Sequence, residues 1–290
     1  MIDLHLHTDA SADAQHTPAE LFAMAAELGL RCIAFADHNT LAALPEGRRL
    51  SRETGIEFVS AVELNTELDG LELHLLGYGV DAERPDVRAW FDEITALFHE
   101  QAARRVAKFV ELGLELTLDE VLAESSGRLP TGSTFFNVLV RHAANLAHPL
   151  VQPYLNVAAD ENAYIRFYFE VMAKGGPADV AAANLPTREA IARLREVGAV
   201  PVVAHPNRIP LEALEKMIAA GLVGIEAICS YHDAERTAYW LNAARRFGLL
   251  HTAGSDFHGM ETKPHVRMGA MTGNDYVLVE RLREAIAALK

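Results

Sequence analysis

Ile2-Asp3-Leu4-His5-Leu6-His7-Thr8 alternates apolar and polar residues from the first position on. Period-2 geometry makes this a strand that carries His5 and His7 on one face. Six further apolar runs share its strand character: Cys32–Ala36, Glu57–Leu64, Leu71–Gly77, Val200–Ala204, Val223–Cys229 and Leu250–Gly254. Helical spacing fills most intervals between them. Thr17-Pro18-Ala19-Glu20 has the form of a capping box with proline at the first helical position, and Gly29 follows the last turn. Further helices are predicted over Leu41–Thr54, Thr187–Val197, Pro210–Ala220, Asp233–Phe247 and Asp275–Leu289. Strands alternating with helices predict an α/β fold with a parallel sheet. The number of repeats, with histidines at the strand ends, favours a distorted seven-stranded (β/α) barrel of the TIM-like kind over an open sheet.

The middle of the chain breaks this rhythm. Residues 84–186 show helical patterns without clear strands: Ala89–Leu112 reads as one long helix, followed by Thr117–Glu124, Ser133–Ala147 and Glu161–Ala173. The expected organisation is a barrel built from residues 1–83 and 187–290, with residues 84–186 as a mainly helical lid over its mouth, because loops on that face of a barrel shape the site.

Composition narrows the function. The chain has 290 residues, half of them hydrophobic, and carries 26 Lys and Arg against 40 Asp and Glu, a formal net charge of −14. That excess of negative charge argues against a duplex-DNA-binding surface, which needs basic residues in excess. A small phosphorylated substrate remains compatible, since bound metal ions supply local positive charge. Cys32 and Cys229 lie in apolar runs and read as buried reduced thiols. The N-terminus lacks the basic and apolar regions of a signal peptide, and no stretch approaches the roughly 18 apolar residues of a membrane helix. The expectation is a cytoplasmic protein without membrane association.

The chemistry lies at the strand ends. After His5 and His7, Asp13 follows in the next loop, Asp37-His38 ends the second strand, and Glu63 ends the third. His74 lies on the fourth strand, His205-Pro206 ends the fifth, and Asp256-Phe257-His258 follows the seventh. Taken singly, each has a structural explanation: Glu63 as a helix cap, Asp256 as a turn cap, each histidine as a hydrogen-bonded core residue. Jointly, so many ionisable groups on one face would cost several kcal/mol each without a counter-charge. Divalent cations resolve that cost, and imidazoles with carboxylates but no thiolate suit Mn, Fe or Zn. His232, after the sixth strand, is a candidate phosphate contact or proton donor.

Asp3-Leu4-His5-Leu6-His7-Thr8, Ala36-Asp37-His38-Asn39, Val62-Glu63, His74, Ala204-His205-Pro206 and Gly254-Ser255-Asp256-Phe257-His258 resemble the ordered motifs of the PHP (polymerase and histidinol phosphatase) family. The chain most resembles the stand-alone bacterial members that hydrolyse nucleoside bisphosphates or trim 5′ ends of RNA. The resemblance implies a metal-dependent phosphoesterase with two or three divalent ions. His5, His7, Glu63 and Asp256 would hold the first, and Glu63, His74 and His205 the second. Asp13, His38 and His258 would hold the third, with Asp9 a competitor for Asp13 because the family's aspartate precedes a glycine. A metal pair lowers the pKa of bound water and clamps an in-line displacement at phosphorus. Glu63, Asp256, His232 and Arg208 are then the expected catalytic groups. Arg208, in His205-Pro206-Asn207-Arg208, matches a position resembling the family's phosphate-binding arginine.

The insertion departs from the nucleotide-cleaving pattern. Gly132-Ser133-Thr134 lacks the expected Arg and His, and Lys174 is displaced relative to Gly175-Gly176-Pro177. Lys174 and Arg128 are the candidate substitutes. The expected substrate is a nucleotide or a short single-stranded 5′-phosphorylated oligonucleotide. The alternatives are histidinol phosphate or a sugar phosphate, and an amidohydrolase-type C–N bond. The last is disfavoured because no strand ends in the lysine that such enzymes often carboxylate.

Overall fold

The computed structural model describes residues 1–155, 163–207 and 209–290. The chain divides into two compact units, residues 1–91 with 184–290, and residues 92–183.

The first unit is α/β with mixed strand directions. β1 (Ile2–Leu6), β2 (Cys32–Phe35) and β3 (Glu57–Ser60) form a parallel sheet in that order. The second sheet contains β4 (Glu63–Leu68), β5 (Leu71–Tyr78), β6 (Leu185–Pro186), β7 (Val200–Val203), β8 (Gly224–Cys229) and β9 (Leu250–Gly254), in the order β6-β4-β5-β7-β8-β9. Two expectations need correction. The apolar run Glu57–Leu64 is not one strand but the whole of β3 and the start of β4, separated at Ala61-Val62. The run Leu71–Gly77 is not parallel to its neighbours. Asp69 and Gly70 both have positive φ, 53° and 84°, which is the signature of a two-residue hairpin turn. That turn reverses the chain, so β5 is antiparallel to β4 and to β7.

Among the described residues the strands do not close into one continuous ladder: the two sheets meet through isolated bridges, Leu6 to Phe257 and His38 to Glu63, an arrangement compatible with the expected distorted barrel. Backbone bonds stitch these seams: His7 N–H to Phe257 O at 3.0 Å, Asp256 N–H to His5 O at 2.9 Å, and Glu63 N–H to Asp37 O at 3.1 Å. Asp256 and Asn39 hold left-handed backbone within these seams, φ 58° and 53°, and each still donates its N–H across, Asn39 to Glu63 O at 2.8 Å.

Helices α1 (Pro18–Glu27), α2 (Leu44–Thr54), α7 (Thr187–Glu196), α8 (Leu211–Ala219), α9 (Ala234–Phe247) and α10 (Val277–Leu289) follow the strands. The Thr17–Glu20 capping box forms in both directions, as its sequence predicts. Beneath the seams, Ile2, Leu4, Leu76, Tyr78, Val202 and Leu282 belong to one fully buried cluster, and the Tyr78 hydroxyl donates to Leu4 O at 2.9 Å. Cys32 and Cys229 are free and buried, and burial pushes the Cys32 thiol up to about 12.

The second unit is helical. The long helix α3 (Pro85–Glu111) runs into it, followed by α4 (Leu118–Ser125), α5 (Gly132–Arg141) and α6 (Ala163–Phe167), the last continued by a π-helical turn over Tyr168–Met172. The expected helix over Ser133–Ala147 therefore ends earlier, at Arg141, whereas of the expected Glu161–Ala173 the stretch Ala163–Met172 is helical, and Glu161 and Asn162 lie outside the described residues. Phe109, Phe135, Phe136, Tyr154 and Phe167 supply the core of this unit. No described helix is long and apolar enough to cross a membrane.

Candidate metal centre

The seams between the two sheets gather the sequence-predicted donors. His5 Nε2, His7 Nε2, Glu63 Oε2 and Asp256 Oδ1 form one set. The five measured separations among them run from 3.1 Å (His5 to His7, His7 to Asp256) to 3.5 Å (His5 to Asp256). A cation about 2 Å from each donor matches edges of this length. Glu63 turns its other oxygen, Oε1, to His74 Nδ1 at 2.9 Å and His205 Nε2 at 2.8 Å. His38 stands beside both, with Nδ1 3.2 Å from Glu63 Oε2 and Nε2 3.8 Å from Asp13 Oδ2. His258 Nε2 lies 3.6 Å from the same Asp13 oxygen, and His7, His38 and His258 form a further set. Of the two competing aspartates, Asp13 reaches the cluster and Asp9 is exposed.

The donors fit cations better than they fit one another. Glu63 Oε2, Asp256 Oδ1, Asp13 Oδ1, His38 Nδ1 and His258 Nε2 are buried without a hydrogen-bond partner. Native structures rarely leave so many buried polar atoms unsatisfied in one place. The outward ring nitrogens are meanwhile committed. His5 Nδ1 meets Glu226 at 3.0 and 3.2 Å, and His258 Nδ1 meets Asp256 O at 3.0 Å. His7 Nδ1 meets Ser11 Oγ at 3.2 Å, while that hydroxyl donates to Asp37 Oδ1 at 2.7 Å. Such outer bonds fix the tautomer that leaves Nε2 bare for a metal. Asp37 is itself buried, takes the Thr8 N–H and hydroxyl, and is raised above its ordinary value by burial.

Charge in the cluster is tightly balanced. Burial would raise Glu63, but His5, His74 and His38 outweigh it and hold the carboxyl well below its usual range. Asp256 is depressed in the same way, His5 and His258 outweighing burial. Burial would lower His7, yet Asp256 and Glu63 raise it to about 9. Burial dominates at His38, which falls to about 4.

A pH dependence follows. A histidine raised from 6.5 to about 9 contributes stability that is complete below pH 6.5 and is lost as pH rises through about 9. Metal capture needs the neutral ring. Between those limits the metal-free protein loses stabilisation just as a donor becomes available. The rise in Tm on adding Mn2+ is therefore expected to be larger at about pH 9 than at pH 6.5. Calorimetry at both values checks this, and an equal or smaller shift at the higher pH would contradict it.

Gly254 makes the close approach possible. A Cβ there would lie 2.2 Å from His5 Cβ and 2.5 Å from Glu226 Oε1. Gly254→Ala is expected to cost about 1–3 kcal/mol, the usual penalty of overpacking, read from urea unfolding. An unchanged midpoint would show that β9 can shift away freely.

A cavity of about 310 Å³ opens onto the cluster. Its walls include His38, Glu63, His74, His205 and Asp256, joined by Asn207, Tyr231 and Lys263. Tyr231, Lys263 and Glu226 are absent from the sequence-based candidates. Tyr231 Oη and Lys263 Nζ each approach Asp256 Oδ2 to 2.6 Å. His232, the candidate beside Tyr231, does not line this cavity. Its Nδ1 is held by Ala227 O at 3.0 Å and its buried Nε2 lacks a partner, because the turn after β8 points the tyrosine inward instead. Arg208 lies outside the described residues. Arg128 and Lys174 belong to the helical unit, where Arg128 Nε donates to Ser125 O at 3.1 Å and Lys174 is exposed. His205 and Asp256 hold positive φ, 25° and 58°, the kind of backbone strain that clusters at functional sites.

The profile of the PHP domain matches residues 3–173. A phosphoribosyl 1,2-cyclic phosphate 1,2-diphosphodiesterase of Eggerthella lenta is 28% identical over 91% of this chain and 97% of its own. A 5′-3′ exoribonuclease of Haemophilus influenzae is 31% identical over 88% and 89% of the two chains. A 3′,5′-nucleoside bisphosphate phosphatase of Chromobacterium violaceum is 26% identical over 89% and 87%. Among solved structures, a Bifidobacterium adolescentis protein assigned as a metal-dependent phosphoesterase superposes with a TM-score of 0.76. It is 27% identical and covers 98% of this chain and 96% of that one.

Proposed function

The chain belongs to the PHP domain family, and from that membership we propose that it is a metal-dependent phosphoesterase acting on a phosphorylated ribose compound, a nucleotide or a 5′-phosphorylated oligonucleotide. The observation that carries the reading is the double-sided carboxylate of Glu63, one oxygen toward His5 and His7 and the other toward His74 and His205. A carboxylate so placed suits two neighbouring cations. His5, His7, Glu63 and Asp256 would hold one and Glu63, His74 and His205 a second. Asp13, His38 and His258 would hold a third, with Mn, Fe or Zn as the metals. When bound, such ions supply Lewis acidity and a nucleophile at neutral pH.

The chain's own residues supply orientation and charge. Glu226 and the Ser11–Asp37 pair fix the rings of His5 and His7. Tyr231 and Lys263 hold Asp256 from its far oxygen, so that Oδ1 faces the histidines. The relatives named above act, by their names, on a phosphoribosyl cyclic phosphate, on RNA and on a nucleoside bisphosphate. Phosphate on ribose is their shared chemistry. We further propose a substrate-selecting role for the helical unit, with Arg128 and Lys174 as its candidate cations. A cytoplasmic setting goes with the reduced thiols of Cys32 and Cys229.

The test is a Mn2+-supplemented screen against nucleoside 3′,5′-bisphosphates, 5′-phosphorylated oligonucleotides, ribose cyclic phosphates, histidinol phosphate and cyclic amides. Phosphate release or cleavage in the first three groups is expected. Turnover confined to histidinol phosphate would reassign the substrate, and turnover confined to cyclic amides would overturn the reaction class.

A further inference from the structure

Among the described residues lining the cavity, Lys263 is the one lysine or arginine; the other charged or titratable walls are carboxylates, imidazoles and the Tyr231 phenol. An ester phosphate entering there meets Glu63 and Asp256, so a cation of the chain on the cavity wall has a task beyond neutralising one aspartate. The local contacts leave it capacity for that task. Asp256 Oδ2 accepts from both Tyr231 Oη and Lys263 Nζ at 2.6 Å, which fills its two lone pairs. Lys263 spends one of three N–H donors on that bond, and its ammonium lies 5.6 Å from the centre of the Tyr231 ring. Its side chain keeps 29% of its surface exposed, so an incoming anion can reach it.

The sequence also builds a support that holds this ammonium in place. Gly259 has φ +101°, and Gln15 fills the side where a Cβ would stand. The Lys263 N–H returns to Gly259 O at 2.9 Å, while Gln15 takes the Glu261 N–H at 2.9 Å and donates its own N–H to His258 O at 3.0 Å. Pro264 then restricts Lys263 to extended backbone. Lys263 is thus fastened to the same short turn that carries His258.

The geometry points to Lys263 as a substrate-binding residue, its ammonium contacting a non-bridging oxygen of the phosphoryl group to be cleaved while Tyr231 keeps hold of Asp256. The inference rests on the phosphoesterase reading. It differs from a merely structural role in what it predicts: a lysine that only neutralises Asp256 changes metal content, whereas a phosphate-binding lysine changes phosphate affinity at constant metal content.

The experiment compares the full-length Mn2+-loaded protein with Lys263→Met, Lys263→Gln and Lys263→Arg. Equilibrium binding of inorganic phosphate, metal content by mass spectrometry, and kcat and KM on the best substrate are measured. The neutral variants are expected to bind phosphate and substrate roughly 10–100-fold more weakly, the scale of a charged hydrogen bond, with metal content unchanged. Lys263→Arg should recover most of the affinity, though as a fork rather than a point charge. Parental phosphate affinity in both neutral variants, or metal loss that accounts for their defect, overturns the inference. Failure of the underlying reading is distinct, because it appears in the parent protein as neither phosphate binding nor turnover of any phosphoester, and it overturns both.

Discussion

Glu63→Gln is expected to reduce kcat/KM about 1,000-fold or more and to strip metal from both of the sets that share Glu63. Each 1.36 kcal/mol of lost transition-state stabilisation is a factor of ten, and metal chemistry is worth several kcal/mol. Glu63 is fully buried and has measured approaches to five imidazoles: His74 and His205 through Oε1, and His5, His7 and His38 through Oε2. Glutamine preserves the volume but removes the charge and offers an N–H₂ group where a donor atom must be bare. Glu63→Asp is the sharper variant. It keeps the charge and shortens the reach by one methylene, so one carboxylate can no longer serve both sides. Metal analysis and phosphate release on both variants check the prediction. Near-parental turnover in Glu63→Asp would mean that the two histidine groups do not depend on a shared carboxylate.

Much of this site is legible in the sequence because its donors follow strands at fixed period. His5 and His7 share a face by alternation alone, and Asp37-His38, His205 and Asp256 each stand where an apolar run stops. What sequence reading misses is set by turns and by partners distant along the chain. The hairpin at Asp69-Gly70 was readable as an Asp-Gly turn, yet the apolar run Glu57–Leu64 hides the break at Ala61-Val62, so β5 is mistaken for a parallel strand. Tyr231 and His232 are adjacent, and the expectation goes to the histidine on chemistry. In the structure it is the tyrosine that lines the cavity. Lys263 gives no periodic signal at all, since it is carried by the Gly259 turn and the support of Gln15. The helical unit is legible as helices, but no local pattern states what it selects.

Glu226 is the instructive omission. Ile225-Glu226-Ala227 places one carboxylate inside a strand whose every residue is buried. A buried acid that close to apolar neighbours requires a partner, so the sequence holds a signal, though not the partner's identity. Glu226 grips His5 Nδ1 and accepts the His205 N–H at 2.8 Å, and so disciplines one histidine from each of the two sets joined by Glu63. Glu226→Gln separates these tasks. The amide oxygen can still accept from His205 N–H, but the negative charge that favours the Nδ1–H tautomer of His5 is gone. A loss of 10–100-fold in metal affinity is expected, the range found for partners of ligating histidines, with kcat/KM following it at limiting metal. Glu226→Ala removes both bonds, leaves two buried donors unsatisfied and opens a gap beside Gly254. A further destabilisation of about 2–4 kcal/mol is expected from those causes. Metal titration reads the first effect and urea unfolding of the metal-free protein reads the second. If Glu226→Gln bound Mn2+ as tightly as the parent while Glu226→Ala only unfolded more easily, Glu226 would be a packing group. His5 would then owe its orientation to its own strand.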